Sequence, residues 1–239
     1  MNLYKKDYTK LYQLQDKFLD WWKSLGMPLY LTGGTALGRF YLNHRFSEDL
    51  DFFTNSATEY SSTIPEIRKK ITSQFTIDIA RSLFSDDHTR FFISEDDVFL
   101  KIDFVHDVDH YAGTTAHFLY GKIDRPLNIL SNKLTAIISR DEPKDIFDII
   151  HIALKYSFNW PDVFNDAKQK AVINEIDVEQ RLHSFPIASL HNVDWLNKPI
   201  DFDVIQMTLQ QISDDFLLGK QNSLGKGKTP IELAKPVNS

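Results

Sequence analysis

Apolar residues recur at three- and four-residue steps near the start of the chain. Leu3, Leu11, Leu14, Phe18, Leu19 and Trp22 fall on one stripe, with Lys5, Lys6, Lys10 and Lys17 among them, so residues 3–25 are expected to form an amphipathic helix. Gly26 and Pro28 follow and should stop it. The apolar run 29–31 is expected as a short buried strand that enters a Thr32-Gly33-Gly34-Thr35 turn. Residues 36–43 read as helix. Residues 49–54 alternate acidic and apolar side chains, the period of a strand. Thr63 and Glu66 have capping-box spacing for a helix that continues through Ile71. Three β-rich runs follow, at 75–84, 89–94 and 98–105.

The texture changes beyond Pro126. Runs 129–139, 145–156, 161–173 and 202–218 have helical spacing, with Pro161 in a first-turn position. Residues 219–239 hold three Gly, two Pro and four Lys against one Glu, and are expected to be a flexible, loosely attached tail. The mixture of helices with consecutive strands in the middle favours an α+β or mixed α/β class over a regular doubly wound sheet. Three regions are expected: an α/β core with its N-terminal helix at 1–127, a helical region at 128–218 and the tail.

Composition narrows the function classes. The chain has 239 residues, 42% apolar and 25% charged, which is ordinary for a globular protein. No apolar run approaches the roughly 18–20 residues of a membrane span. The first residues, Met1-Asn2-Leu3-Tyr4-Lys5-Lys6-Asp7, lack the apolar segment of a signal peptide. With no cysteine, disulfides, thiolate catalysis and Cys-ligated zinc are excluded, and a cytoplasmic location is expected. The net charge of −6 argues against a general nucleic-acid coat but leaves a local basic groove open.

The candidate chemistry is concentrated in two nearby segments, Leu31-Thr32-Gly33-Gly34-Thr35-Ala36-Leu37 and Arg45-Phe46-Ser47-Glu48-Asp49-Leu50-Asp51-Phe52-Phe53. Alternate strand residues share a face, so Asp49 and Asp51 project together while Leu50 and Phe52 anchor the other side. Two carboxylates this close require a positive group between them or a proton on one. A hard divalent cation fits, and Mg²⁺ is the usual partner of phosphates. Gly33, Gly34 and Thr35 supply the other half: without Cβ bulk, backbone N–H groups can approach an anion at the start of a helix. Polyphosphate with Mg²⁺ is the simplest ligand for both.

Asp103 interrupts the apolar run 98–105 and shares a strand face with Lys101. It is the expected third metal ligand, with a salt bridge to a neighbouring Arg or Lys as the alternative and Asp78 as a weaker competitor. Lys133 and Arg140 lie seven apart, on nearly one helical face that could hold a triphosphate. Asp145 and Asp148 could orient those cations or simply favour the start of their own helix.

These residues resemble the signature of the DNA polymerase β-like nucleotidyltransferase superfamily. More specifically, Gly-Gly-Thr-Ala-Leu, then Arg-Phe-Ser-Glu-Asp-Leu-Asp-Phe, then Lys133, Arg140 and Lys144-Asp145-x-x-Asp148 are similar to the AbiEii/AbiGii toxin family, over residues 28–155. The resemblance implies a nucleotidyltransferase-like mixed sheet flanked by helices, followed by a helical region that completes a cleft. It implies transfer of a nucleoside monophosphate from an NTP by a two-metal mechanism. Asp49 and Asp51 would be the metal-binding pair, Gly33, Gly34 and Thr35 the phosphate turn, Arg45 and Ser47 neighbours of the nucleotide, and Lys133 and Asp145 the downstream motifs. It further implies a toxin of a toxin–antitoxin or phage-defence pair with a cognate antitoxin, and tRNA as a possible acceptor.

Other readings keep part of this picture: a silent nucleotide- or partner-binding protein of the same fold, or transfer to a small molecule or protein. Gly225-Lys226-Gly227-Lys228-Thr229 lacks a preceding strand and is no P-loop. Asp103, His106, Asp107, Asp109 and His110 form a metal-capable set that reads more simply as a solvated loop.

Overall fold

The computed structural model describes residues 7–237, so Leu3, Lys5 and Lys6 lie outside the described residues. Helix α1 spans Tyr8–Leu25 and is capped by Asp7, whose carboxylate accepts from the Thr9 and Lys10 amides. Gly26 ends it in the left-handed region, at φ 61°. The strands are β1 (Tyr30–Thr32), β2 (Leu50–Thr54), β3 (Thr76–Ile77), β4 (Leu83–Phe84), β5 (His88–Glu95), β6 (Val98–His106), β7 (Ala116–Phe118) and β8 (Gly121–Ile123). They form one mixed sheet in the order β3-β5-β6-β2-β1-β8-β7, with β4 on β5. β2 lies between β1, antiparallel, and β6, parallel, with Asp51 opposite both Thr32 and Asp103.

The apolar stripe of α1 lies on the sheet. Leu11, Leu14, Phe18, Leu19 and Trp22 are buried, and the Trp22 ring centroid is 4.3 Å from that of Phe52. The Trp21-Trp22 pair thus packs in the core. Gln15 is buried on the same helix and donates to the Ser47 and Glu48 carbonyls, both at 3.1 Å, which fixes the backbone entering β2.

Helices α2 (Gly33–Leu37), α3 (Ala57–Ile71), α4 (Pro126–Ser139), α5 (Pro143–Lys155), α6 (Trp160–Lys170), α7 (Glu175–His183) and α8 (Phe202–Leu217) complete the fold. Helix α3 begins earlier than the Thr63–Glu66 spacing predicts. Ser56 caps it by accepting from the Glu59 amide, while Thr63 is a core residue. Pro65 inside the helix is exposed, so the carbonyl it leaves unbonded is reached by water. Helix α7 and strands β7 and β8 had no counterpart in the sequence pattern. No helix among the described residues is long and apolar enough to cross a membrane.

The expected loose tail is instead packed against the helices. Ile231 and Ala234 are buried. Asn222 is buried too, and its amide donates to the Ala153 and Tyr156 carbonyls at 2.7 and 2.8 Å. These carbonyls lie at the C-terminal end of α5, where a helix leaves acceptors open. A Cβ on Gly225 would overlap the Tyr156 carbonyl oxygen, so the glycine permits a close backbone approach rather than a mobile turn. We expect Asn222→Ala to lower stability by about 1–3 kcal/mol, because it strands two buried acceptors. Denaturant melts would show this, and an unchanged midpoint would mean that the segment contributes nothing to the helical region.

Candidate active site

The glycine pair is the first turn of α2 rather than a turn preceding a helix. Thr32 stands at its N-cap in an extended conformation, which leaves the first amides of the helix without intrahelical partners. Helix α2 passes directly into a π-turn at Gly38–Leu42. Gly33 has φ +69°, and a Cβ there would lie 2.6 Å from Asp51 Oδ2. A Cβ on Gly34 would meet Arg45 Nη2 and lie 3.0 Å from Ser47 Oγ. Both glycines are therefore fixed by close approach, one to a carboxylate and one to a guanidinium. Thr35 is buried, and its hydroxyl donates to the Asp49 carbonyl. That side chain ties α2 to β2 and does not face a ligand.

Two connected spaces open above this floor. One, of about 360 Å³, is lined by Thr32, Gly33, Gly34, Asp51, Phe53 and residues of α4. The other is a polar recess of about 270 Å³ whose lining includes Ser47, Asp49, Lys101, Lys144 and Asp145. They share Gly34, Asp51, Lys133 and Arg140, so together they form one trough between the sheet and α4.

The acidic side of the trough is unevenly paired. Asp49 Oδ2 is 2.7 Å from Lys101 Nζ. Asp103, expected as a third metal ligand, is engaged by basic side chains. It accepts from His88 Nε2 and Arg90 Nε, each at 2.7 Å, and Lys101 Nζ lies 3.3 Å away. Burial raises its pKa, but the Arg90 and His88 hydrogen bonds and the Lys101 charge hold it below the usual value. The Asp51 carboxylate has no hydrogen bond or ion pair among the described residues. Burial, then repulsion from Asp49, pushes its pKa up to about 6. Asp78 only caps the short turn after β3, by accepting from the Arg81 amide, and takes no part in the trough.

The basic wall is built on buried carboxylates. Lys133 Nζ is 2.5 Å from Asp145 Oδ1 and 2.8 Å from Asp148 Oδ2, which leaves one N–H for the trough. Arg140 Nε donates to Asp145 Oδ2 at 2.7 Å. Asp148, fully buried, also accepts from Arg45 Nε (2.6 Å), Arg45 Nη2 (2.7 Å) and His44 Nε2 (2.8 Å). Burial works against its ionisation, but Arg45 and Lys133 hold its pKa well below the ordinary value. Arg45, expected beside the nucleotide, gives Nε and Nη2 to Asp148 and packs beneath Gly34, where it also lines the polar recess. Asp145 and Asp148 orient the basic side chains.

The sequence reading missed Lys101 and His44, as well as the His88 and Arg90 that bond Asp103. Lys101 had a signal, because it shares a strand face with Asp103. His44 had none, since only the fold brings it to Asp148. Of the metal-capable set around His106, His110 Nε2 pairs with Asp166 at 2.9 Å. Among the described residues no group of three or more His, Asp or Glu is arranged to hold a metal ion.

Asp51 fits a divalent cation as a donor: it is a free, desolvated carboxylate beside Asp49, and the donor set is all oxygen. Two carboxylates do not complete a coordination shell, so substrate phosphate and water would supply the rest.

A family model described as the nucleotidyl transferase AbiEii toxin of a type IV toxin–antitoxin system matches residues 20–216. Among solved structures, JHP933 from Helicobacter pylori is 20% identical, with TM-score 0.57, over 88% of this chain and 92% of that one. MenT4, a nucleotidyltransferase toxin from Mycobacterium tuberculosis H37Rv, is 14% identical, with TM-score 0.59, over 86% and 82%. At these identities the likeness shows a shared fold. A search of curated proteins found no match.

Because folded Asp51 keeps its proton up to about pH 6, ionising it costs stability. Its contribution should fall as pH rises from the ordinary carboxylate range through 6. Asp51→Asn should remove that loss and raise stability at pH 7 by about 3 kcal/mol. Thermal melts from about pH 3.5 to 7 measure it, and parallel profiles for the two proteins would show an ordinary carboxyl.

Proposed function

The chain belongs to the AbiEii family of nucleotidyl transferase toxins, and from that premise we propose that the trough transfers a nucleoside monophosphate from an NTP to an acceptor hydroxyl. The acceptor oxygen forms a bond to the α-phosphorus, the bond to pyrophosphate breaks, and the hydroxyl proton is lost. The observation that carries this reading is the unpaired Asp51 facing Gly33 across from Lys133 and Arg140. A cation-seeking carboxylate, open helix amides and fixed basic side chains converge on one space.

In this reading the open amides of Gly33 and Gly34 and the free N–H groups of Lys133 and Arg140 receive the triphosphate. Asp145 and Asp148 keep those cations from collapsing onto the substrate-free acids. Asp49 and Asp51 would hold Mg²⁺, which when bound screens the phosphate charge and activates the attacking oxygen. Asp103 fixes Lys101 and Arg90 beside them. Lys101 neutralises Asp49 and is the group that must yield when a metal enters. Ser47 lines the phosphate recess. Arg45 and Thr35 act indirectly, by fixing the turn.

The acceptor we propose is RNA, with tRNA first among candidates. In the last turn of α3 Lys70 is paired with Glu66, and Arg68 and Lys69 beside it support an anionic partner. A cognate antitoxin and a cytoplasmic site of action belong to the same reading.

The test is incubation with each labelled NTP, Mg²⁺ and total cellular RNA and protein. Label should enter RNA and disappear on chelation. Asp49→Ala and Asp51→Ala should each lower transfer by more than about a hundredfold, the scale of losing charge stabilisation in a phosphoryl transfer. Label in protein alone would overturn the acceptor, and undiminished pyrophosphate release by either variant would overturn the site.

A further inference from the structure

The end of the trough away from the polar recess carries a feature that phosphate binding does not use. Asp51 and Phe53 share a face of β2 and both line the space. Two residues of strand carry the face about 7 Å onward. Beyond Phe53, the Asp107 amide donates to the Thr54 carbonyl at 2.9 Å, which places Asp107 at the same end. From Asp51 outward the lining therefore runs carboxylate, aromatic ring, carboxylate, a span of the same order as that from the α-phosphate of a nucleotide to its base.

Asp107 is unusual there. Its side chain has no hydrogen bond or ion pair among the described residues, and Oδ2 is out of solvent without a partner. Such a group is costly unless a ligand or water completes it. Lys170 lines the same space. Its Nζ donates to Asn128 Oδ1 and Asn132 Oδ1 at 2.5 and 2.6 Å, which aims the ammonium and leaves one N–H. Burial lowers the Lys170 pKa, and Asp107 is the leading charge that opposes this. Yet the two form no ion pair. Asp107 and Lys170 thus line one cavity without closing on each other, beside Phe53, Ile129 and Ala136.

Resting on the reading of the trough as an NTP site, we infer that Asp107 and Lys170 read the edge of the nucleobase. Asp107 accepts an amino or imino N–H, and Lys170 donates to a neighbouring carbonyl or ring nitrogen. Phe53 and Ile129, which line the same space, supply apolar surface for the faces of the base. A nucleobase presents donor and acceptor side by side on one edge and has apolar faces, so it meets both requirements. A sugar has hydroxyls but no such faces, and a further phosphate would be repelled by Asp107.

The test compares the full chain with Asp107→Ala and Asp107→Asn. Affinities for the four NTPs, one 2′-deoxy-NTP and inorganic tripolyphosphate are measured with Mg²⁺. The unaltered protein should separate its best and worst bases by at least about tenfold, the discrimination one edge contact supplies. Both variants should flatten or reorder that ranking and keep the tripolyphosphate affinity, which also reports that they are folded. An unchanged base ranking in both variants, or no ranking in the unaltered protein, would overturn the inference and leave the NTP site standing. A change confined to ribose against deoxyribose would assign Asp107 to the sugar and overturn it too. If no NTP binds to the unaltered protein, the transferase reading itself fails, and this inference with it.

Discussion

One buried carboxylate joins the parts of this molecule that must meet. Asp148 on α5 receives His44 and Arg45 from the segment leading into β2, and Lys133 from α4. Removing one partner from such a cluster leaves an uncompensated charge in the interior, which is strongly unfavourable. The cluster therefore sets where α4 stands relative to the sheet. It also sets Arg45 beneath Gly34, so the shape of the glycine turn and the position of the basic wall share a single cause. Gln15 from α1 adds a second restraint on the same segment through the Ser47 and Glu48 carbonyls.

Charge is largely paired around the phosphate end of the trough. On the basic side, Lys133 and Arg140 are held by Asp145 and Asp148. On the acidic side, Lys101, Arg90 and His88 occupy Asp49 and Asp103. Asp51 beside them is left without an ion pair among the described residues, and its raised pKa expresses the cost of that position. The fold retains this electrostatic conflict where a divalent ion and phosphates would relieve it, the kind of local cost that recurs at functional sites.

Much of this was legible in the sequence because it depends on local periods. Asp51 alternates with buried Leu50 and Phe52 on β2 as its period predicts, and Asp49 stands just before that strand; Lys133 and Arg140 both line the trough, although Arg140 is the extended residue that ends α4 rather than part of its helical face. The roles that depend on a distant partner were not legible. Arg45 and Ser47 look alike in a motif, but only the fold shows that Arg45 is committed to Asp148. Thr35 looks like a phosphate contact until its hydroxyl is found on the Asp49 carbonyl. The segment after Gly219 has the composition of a loose tail. Its attachment depends on carbonyls at the end of α5 that no local pattern announces. Helix α7 was missed because only Val178 and Leu182 of its nine residues are buried, too few to establish a period.

The most direct measurement of the central claim is a crystal structure of the full chain with Mn²⁺ and an NTP whose α,β-bridge resists cleavage. The account predicts anomalous density between Asp49 and Asp51, with Lys101 displaced from Asp49, and the triphosphate on the amides of Gly33 and Gly34 against Lys133 and Arg140. Metal or nucleotide bound elsewhere, with Lys101 still closed on Asp49, would contradict it.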